Sequence, residues 1–458
     1  MSKGALPGFR DFYPDALAER AHIMRVWRDV ARRFAFVEYD GPPLEPLELY
    51  TKKSGEEIVG QLYSFTDKGG REVSLRPEMT PTFARMVAAR ANALRKPVRW
   101  FSMPQLFRYE RQQKGRLREH YQLNVDIVGE ADVTADAELV AVAIEMMRAF
   151  GLTHEDVRVR VSDRRILQAY LAALGVAETQ FAAAFAVIDK LERQPPAISD
   201  EKLAAAGIGD AARARLLAVP TTTLDDVAQT VTEPAATTHV ANFRRFEEYV
   251  DALTGDGAQW LHFDLSIVRG LAYYTGIVFE LFDAKGEFRA IAGGGRYDNL
   301  LAALGGVDLP ALGFGMGDVV LGELLRARGR LPSRPLAADV WVVAEEIIPM
   351  ERTMDLVRAL RARGLSVEFA LRGQSASKQL KAADQAGVAY AVLLGPAYRD
   401  DGRITVRALN PDPARGAPLT ERLPGREVSR DELLAAIQAN PDLFDLTSGP
   451  TRQDSRNG

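Results

Sequence analysis

Arginines are dense in one stretch of the sequence, where they could bind a polyphosphate. Arg108, Arg111, Arg116 and Arg118 fall on two β-like runs and on the glycine-containing loop between them, a pattern that predicts a hairpin. An arginine in a strand is costly to bury unless it is paired or binds an anion. The four side chains could therefore cradle a polyphosphate, although strand alternation equally allows a solvated charged face.

Three later segments could line a pocket. Arg269–Gly276 (RGLAYYTG) fits an aromatic-lined pocket or a β-bulge. The glycines of Ala292–Asp298 (AGGGRYD) could let the backbone lie against a flat ligand, or form a flexible turn. Gly313–Gly317 (GFGMG) precedes a predicted helix, where glycines favour a nucleotide or simply close strand–helix packing.

A charged, proline-bracketed turn, Leu75–Thr82 (LRPEMTPT), runs into another predicted helix. Thr80 or Thr82 could cap that helix. Read alone, the segment is equally typical of an ordinary helix start.

Several classes of site are excluded by what the sequence lacks. With no cysteine, the chain has no disulfide, thiolate metal site or cysteine nucleophile. It carries no Walker-type loop and no H-E-x-x-H motif, and its five histidines are scattered. A net charge of −4 argues against non-specific nucleic-acid binding but allows a local basic patch. No run approaches the roughly 20 apolar residues of a membrane span and no signal core is visible, so we expect a cytoplasmic protein.

The elements that must position these residues follow from periodicity. Residues 14–35 predict a helix with Pro14 in its first turn. Its helically spaced apolar residues are Leu17, Ala21, Met24, Ala31 and Phe34. Further helices are predicted near 80–96 and over 134–150, and strands are predicted within QLYSFTD, VRWFSMPQLFRYE and HYQLNVDIVG.

Composition divides the chain into parts. Residues 1–162 and 256–330 predict one core in two pieces, separated by an alanine-rich helical insertion at 163–255. Residues 335–440 alternate strand and helix, which predicts a small α/β domain with a partly parallel sheet. The polar tail, 441–458, is predicted to be disordered.

In this order, the segments resemble the class II histidyl-tRNA synthetases, from Leu6–Asp11 (LPGFRD) to about residue 440. LRPEMTPT is similar to the LRPE-x-T signature, and FRYERQQKGRLREHYQLNVDIVG to class II motif 2 with the histidine-pocket strand. RGLAYYTG is similar to the RGLDYY block, and AGGGRYDNL to AGGRYD. Each match alone is unspecific, but the ordered set is highly specific.

The resemblance implies a fold and an activity. The fold is an α+β catalytic core, an antiparallel sheet with helices, plus a helical insertion and a C-terminal α/β anticodon-binding domain. The activity is that of a cytoplasmic, homodimeric ligase of protein biosynthesis, which activates L-histidine with ATP and Mg²⁺ and transfers it to tRNA-His.

The resemblance also implies a histidine pocket. Glu78, Thr80 and Gln122 would hold the α-amino end, while Asp126 and Tyr274 would read the imidazole nitrogens. The remaining residues implied for this pocket are Met79, Tyr273, Tyr297 and Gly313.

An ATP site is implied beside it. Arg108 and Arg269 would be catalytic, gripping the α-phosphate, with Glu110 near the adenine. The other implied ATP-binding residues are Arg116, Gly315 and Gly317. No metal ligand is assigned.

Two positions depart from the family pattern. Ala272 replaces the aspartate of RGLDYY, and Val320 stands where motif 3 has an arginine for the γ-phosphate. Arg326 or Arg328 is a hypothetical replacement. The losses leave open a histidine-sensing regulatory paralogue without aminoacylation. The C-terminal domain and the retained Arg108 favour an active synthetase, and the net charge weighs against a general RNA-binding protein. The sequence does not determine which features of the tRNA are recognised.

Overall fold

The structure, a computed structural model, describes most of the chain. The described residues are 4–51, 60–109, 115, 117–268, 274–331, 338–411, 419–423 and 427–439. The chain divides into two compact units, Met1–Pro332 and Ser333–Gly458. The tail predicted at 441–458 lies outside the described residues.

The larger unit is built around one wide sheet and a small one. Its strands are β1 Val37–Glu38, β2 Leu44–Pro46, β3 Tyr63–Thr66, β4 Glu72–Leu75, β5 Val98–Ser102, β6 Gln105–Phe107, β7 Glu119–Val128, β8 Val157–Asp163, β9 Leu261–Phe263, β10 Ile277–Asp283, β11 Ala292–Arg296 and β12 Ala311–Gly317. Within the described ranges the wide sheet has the order β1-β5-β7-β12-β11-β10-β8-β9, with β6 also paired to β7, and β2-β4-β3 form the small sheet.

Helices pack against this sheet. They are α1 Pro14–Arg33, α2 Glu48–Thr51, α3 Thr80–Arg90, α4 Val133–Ala149, α5 Arg164–Ala173, α6 Phe181–Ile188, α7 Pro196–Ala205, α8 Asp210–Leu217, α9 Leu224–Thr230, α10 Pro234–Thr254, α11 Gly257–Trp260, α12 Leu300–Gly305 and α13 Asp318–Ala327. From β5 to β8 in that order each strand is antiparallel to the next, whereas the outer pairs, β1 with β5 and β8 with β9, are parallel. The predicted antiparallel sheet with flanking helices is confirmed.

The helix predicted over residues 14–35 is confirmed as α1, although the apolar spacing alone did not show which face is buried. The buried residues are Ile23, Val26, Trp27, Val30 and Ala31, whereas Leu17 is 41% exposed and Ala21 is exposed. The helix carries apolar side chains around much of its circumference, so spacing alone does not choose between stripes. Trp27 decides the orientation, because it is fully buried and its indole N–H donates to the sulfur of Met316 on β12.

The start of α3 also differs from the prediction. Neither threonine caps it: Met79 is the N-cap residue and makes no side-chain cap. The buried Thr82 hydroxyl instead donates to Glu45, 3.1 Å away. The helix ends at Arg90 rather than near 96, and a turn leads to Pro97, before which helical backbone is disfavoured.

Between β8 and β9 the chain is helical from α5 to α11. Asp163 ends β8 and caps α5 by accepting the backbone N–H of Arg165 at 2.8 Å. Phe243 and Phe246 of α10 are fully buried in the same core as the wide sheet. This segment therefore packs on the sheet that it interrupts.

The smaller unit has its own sheet and core. Its strands are β13 Val340–Ala344, β14 Val367–Phe369, β15 Tyr390–Leu394, β16 Arg403–Ala408 and β17 Glu427–Ser429, in the order β14-β13-β15-β16-β17. Its helices are α14 Met350–Arg361, α15 Ala376–Gln385, α16 Pro396–Asp401, α17 Leu419–Arg422 and α18 Arg430–Gln438. The first three strands of that order are parallel and the rest antiparallel, so the predicted strand–helix alternation and partly parallel sheet are confirmed.

Across the described ranges, no helix combines the length and apolarity needed to cross a membrane.

Candidate functional site

Two glycine-rich segments lie side by side in the wide sheet. AGGGR is strand β11, paired with β10 on one side and β12 on the other, so the flexible-turn interpretation is wrong. A methyl group on Gly294 would lie 2.5 Å from the Phe314 Cα, closer than real Cβ contacts come. Glycine here permits close backbone approach between strands.

The glycines of β12 make room for side chains of β7. A methyl group on Gly313 would lie 2.9 Å from the Asp126 Cγ and 2.8 Å from the Val125 carbonyl oxygen. One on Gly315 would lie 2.8 Å from the Gln122 Nε2. The space over β12 is therefore occupied by the polar groups of Asp126 and Gln122.

Asp126 is the most unusual of these groups, since it is a carboxyl only 5% exposed. The Tyr297 hydroxyl donates a hydrogen bond to it. Burial raises the pKa of Asp126 to about 7, and the hydrogen bond from Tyr297 only partly opposes that rise. A carboxyl group balanced between its two protonation states near neutral pH is a strong candidate for a binding site.

An aromatic cluster surrounds Asp126. Tyr274 and Tyr297 are both buried in one apolar cluster with Phe83 of α3, and Tyr39 packs against that cluster. Tyr39 was not predicted from the sequence. Burial and the nearby negative charge of Asp126 hold the pKa of Tyr39 well above its usual value. Its only sequence signal is its place just before the segment DGPP (40–43), whose composition is typical of a turn.

The LRPE turn is held in place by Arg76, another residue that the sequence analysis did not single out. Its buried guanidinium donates to the Gly41 and Gln105 carbonyl oxygens at 2.7 and 3.0 Å and pairs with Asp40 at 2.8 Å. Glu78 and Thr80 are half-buried beyond it, and the Met79 side chain is fully buried.

The predicted hairpin is real. β6 pairs with β7 from Gln105 opposite Tyr121 to Phe107 opposite Glu119, and the Arg108 backbone N–H donates to the Arg118 carbonyl. The Arg108 guanidinium donates to the Pro77 carbonyl at 2.9 Å, which ties it to the LRPE turn. Arg118 stacks over the Tyr109 ring at 4.1 Å.

Positive charge gathers where β7 begins. Burial, together with the positive charges of Arg108 and Arg10, lowers the pKa of His120 to about 3. This histidine is therefore neutral at physiological pH.

Arg10 joins three parts of this region. It pairs with Glu119 at 2.6 Å and with Asp318 at 2.9 Å, and Asp318 also accepts the Tyr121 backbone N–H at 2.9 Å. The start of β7 is thus fixed to the N-terminus of α13. Gly317, which ends β12, faces Gln122 across the sheet at the same place.

Other residues singled out from the sequence lie outside the described residues. They are Glu110, Arg111, Arg116, Arg269, Ala272 and Tyr273.

The hypothetical replacements for the motif 3 arginine are both engaged elsewhere. Val320 itself packs against the main core. Arg326 pairs with Glu19 at 2.6 Å, and Arg328 pairs with Asp283 at 2.7 Å and Glu287 at 3.1 Å. Both guanidiniums are thus paired with carboxylates in this structure, and the replacement of the motif 3 arginine by one of them stays a hypothesis.

No cluster of three or more metal-ligand side chains occurs among the residues that the structure describes.

Comparison with known proteins agrees with this geometry. Residues 8–317 match the family model for histidyl-tRNA synthetase, and residues 339–440 match that for an anticodon binding domain. The chain is 48% identical over 399 residues to a histidine–tRNA ligase of Opitutus terrae, covering 86% of this chain and 90% of the relative. It is 39% identical to the chloroplastic/mitochondrial histidine–tRNA ligase of Arabidopsis thaliana, and the match covers 88% of this chain and 82% of the relative.

Solved structures agree on the fold. The crystal structure of histidyl-tRNA synthetase from Nostoc sp. PCC 7120 has a TM-score of 0.81 at 23% identity, covering 96% of this chain and 100% of that one. An ATP phosphoribosyltransferase regulatory subunit/histidyl-tRNA synthetase from Bacillus halodurans has a TM-score of 0.69 at 22% identity, covering 83% and 96%. Both identities are low, so these two likenesses show the shared fold alone. The family models and the sequence relatives show more: this chain belongs to the histidyl-tRNA synthetase family of class II aminoacyl-tRNA synthetases.

Proposed function

We propose that the chain joins histidine to tRNA-His in two steps at the centre of the wide sheet. The histidine carboxylate attacks the α-phosphate of ATP, which forms histidyl-adenylate and releases pyrophosphate. The terminal ribose hydroxyl of the tRNA then attacks the adenylate carbonyl carbon, and AMP leaves. The observation that supports this most is the buried Asp126 carboxyl, hydrogen-bonded by Tyr297 and given its space by Gly313.

Asp126 reads the imidazole ring in this proposal. A carboxylate accepts several hydrogen bonds, so the bond from Tyr297 leaves capacity for an imidazole N–H. That second bond favours the ionised carboxylate, whose pKa burial has raised to about 7. Tyr274 pairs with the other ring nitrogen. An amino acid of similar size that lacks an N–H in this position leaves Asp126 unpaired and is rejected.

The amino end of histidine is held at the start of β7. Glu78 and Gln122 accept from the α-ammonium group, assisted by Thr80. Gly315 supports this role for Gln122, because any larger residue at 315 would occupy the place of the amide.

The phosphates lie beyond this end of the sheet. Arg108 grips the α-phosphate, and its bond to the Pro77 carbonyl sets its direction. Arg269, Arg116, Glu110 and Tyr273 keep the roles that the family resemblance implies. Fixed positive groups stabilise the charge that develops on the phosphate, and no nucleophilic side chain is needed.

Magnesium accompanies ATP in this scheme. It would be held through the phosphate oxygens of the nucleotide bound by Arg108 and the other ATP-site residues. The ion would supply charge neutralisation on the polyphosphate.

The remaining proposals concern assembly and tRNA. The smaller unit matches an anticodon binding domain and is proposed to contact the anticodon of tRNA-His. The chain is proposed to act as a homodimer, which light scattering of the purified protein can test. The cytoplasmic location stays a prediction.

The test is histidine-dependent ATP–pyrophosphate exchange, followed by charging of tRNA-His. We expect exchange with histidine and with no other amino acid. Asp126→Ala should raise the KM for histidine far more than that for ATP. The control variant is Asp210→Ala, at a side chain 94% exposed, and it should behave as wild type. Histidine binding without any exchange would overturn the proposal in favour of a regulatory role.

A further inference from the structure

A family feature is missing at the first turn of α13. The histidyl-tRNA synthetase pattern has an arginine for the ATP γ-phosphate where this chain has Val320. A valine that packs against the main core offers no charge to the terminal phosphate. If the chain binds ATP, another cation must approach the same place.

The sheet topology brings a further arginine to this edge. β12 ends at Gly317, opposite Gln122 near the start of β7, and Ala292 at the start of β11 faces Met316. The start of β11, the start of β7 and the N-terminus of α13 therefore share one edge of the sheet. Arg289 lies three residues before β11, in the loop that connects it to β10, and its side chain is exposed.

This loop is fixed against the sheet and α13. Arg328, directly after α13, pairs with Asp283 and Glu287, which lie at the end of β10 and within the loop. Phe288 packs against the same core as Val320. After Arg289, the Ile291 backbone N–H donates to the Leu281 carbonyl at 2.8 Å, so the backbone is held on both sides of Arg289.

Arg289 and Val320 also approach one common point, Gly115 of the loop between β6 and β7. A methyl group built on Gly115 would lie 3.4 Å from the Val320 Cγ2 and 3.9 Å from the Arg289 Cδ. The aliphatic part of the Arg289 side chain therefore lies close to the same point as the valine, on the loop whose two ends are joined where the Arg108 backbone N–H donates to the Arg118 carbonyl.

We infer that Arg289 supplies in this chain the charge that motif 3 arginine supplies elsewhere, by binding the γ-phosphate of ATP and then the departing pyrophosphate. A guanidinium presents paired N–H donors to phosphate oxygens, which a lysine cannot do. The inference rests on the proposed function, because it assumes that ATP occupies this edge of the sheet.

Binding of ATP and of AMP to the full chain tests the inference, because AMP lacks the γ-phosphate. Arg289→Ala should weaken ATP binding by about tenfold or more, the scale of one charge-assisted hydrogen bond, and leave AMP binding unchanged. Arg289→Lys should fall between wild type and alanine. The matched control is Arg326→Ala, on the same helix as Val320 but paired with Glu19, and it should bind both nucleotides normally.

Unchanged ATP binding in Arg289→Ala, or an equal loss for ATP and AMP, would overturn the inference. A rescue variant adds a second readout: Arg289→Ala combined with Val320→Arg should regain ATP affinity. If it binds AMP normally and regains none, Arg289 does not act at the γ-phosphate. These measurements need no histidine, so they are separate from the exchange assay that tests the proposed function.

Discussion

Replacing Asp126 with asparagine should stabilise the protein while damaging its function. The folded chain raises the pKa of this carboxyl to about 7, because burial disfavours its charged form. In the unfolded chain the pKa of an aspartate is about 3.9. The difference between the two pKa values corresponds to roughly 4 kcal/mol of folding free energy, which wild type loses once Asp126 is ionised. Asparagine keeps the shape and an oxygen that accepts from Tyr297, but never ionises.

The sign of the pH dependence follows from the raised pKa. Below about pH 4 the carboxyl is protonated in both states, so Asp126→Asn and wild type should be similarly stable. As pH rises towards about 7, wild type loses stability relative to the variant, and the gap should then stay constant. Histidine binding should weaken in the variant at every pH, because its amide accepts an imidazole N–H less strongly than a carboxylate does.

Asp136→Asn is the matched control for where the pH dependence ends. Burial raises the pKa of Asp136 to about 6, although this carboxylate pairs with Arg296, which is itself buried. By the same linkage, the stability difference between wild type and Asp136→Asn should stop growing near pH 6, whereas that for Asp126→Asn should grow until about pH 7.

The assay is urea unfolding of the full chain at about pH 5 and about pH 8. Linkage predicts a small difference in the free energy of unfolding between wild type and Asp126→Asn at the lower pH and a large one at the higher pH. Tryptophan fluorescence reports chiefly on the larger unit, which contains Trp27, Trp100 and Trp260. A difference between wild type and Asp126→Asn that is zero, negative or independent of pH would refute the reasoning.

Two further predictions concern close contacts around the site. Gly313→Ala should raise the KM for histidine in the exchange assay by about tenfold or more and that for ATP much less, since the methyl group displaces Asp126. Gly322→Ala, whose methyl would lie at an ordinary 3.7 Å from a side chain of α1, is the control, and equal effects of the two would disprove a steric role. Arg10→Met should destabilise the chain by about 3 kcal/mol or more near pH 8, by leaving the buried Asp318 carboxylate without its guanidinium. Burial already raises the pKa of Asp318, so this deficit should shrink as urea unfolding is repeated towards pH 4; a deficit that does not change with pH would indicate lost packing instead.

The sequence by itself was enough for the family and for the kinds of element present. The segments LRPEMTPT, AGGGRYDNL and the arginine-rich hairpin occur in one order, and such patterns are local. The strand–helix alternation after residue 338 was equally readable, because periodicity reflects the backbone conformation of a few consecutive residues. The roles assigned to Glu78, Gln122, Asp126 and Arg108 rest on that resemblance and stay proposals.

Only the tertiary structure decided which residues meet. Apolar spacing in α1 allowed more than one buried face, and the contact of Trp27 with β12 selected one. A run of three glycines is compatible with a turn, and it becomes strand β11 because two neighbouring strands supply its hydrogen bonds.

The same reason explains the site. Asp126 and Gly313 are far apart in the sequence, and the register of β7 with β12 places them opposite each other. Arg289 and Val320 both approach Gly115 because β7, β12 and β11 are neighbouring strands, so their ends lie close together although they come from distant parts of the chain. Residue types and local spacing determine which functional side chains are present. Strand order and register, which are set by packing over the whole core, determine which of those side chains become neighbours.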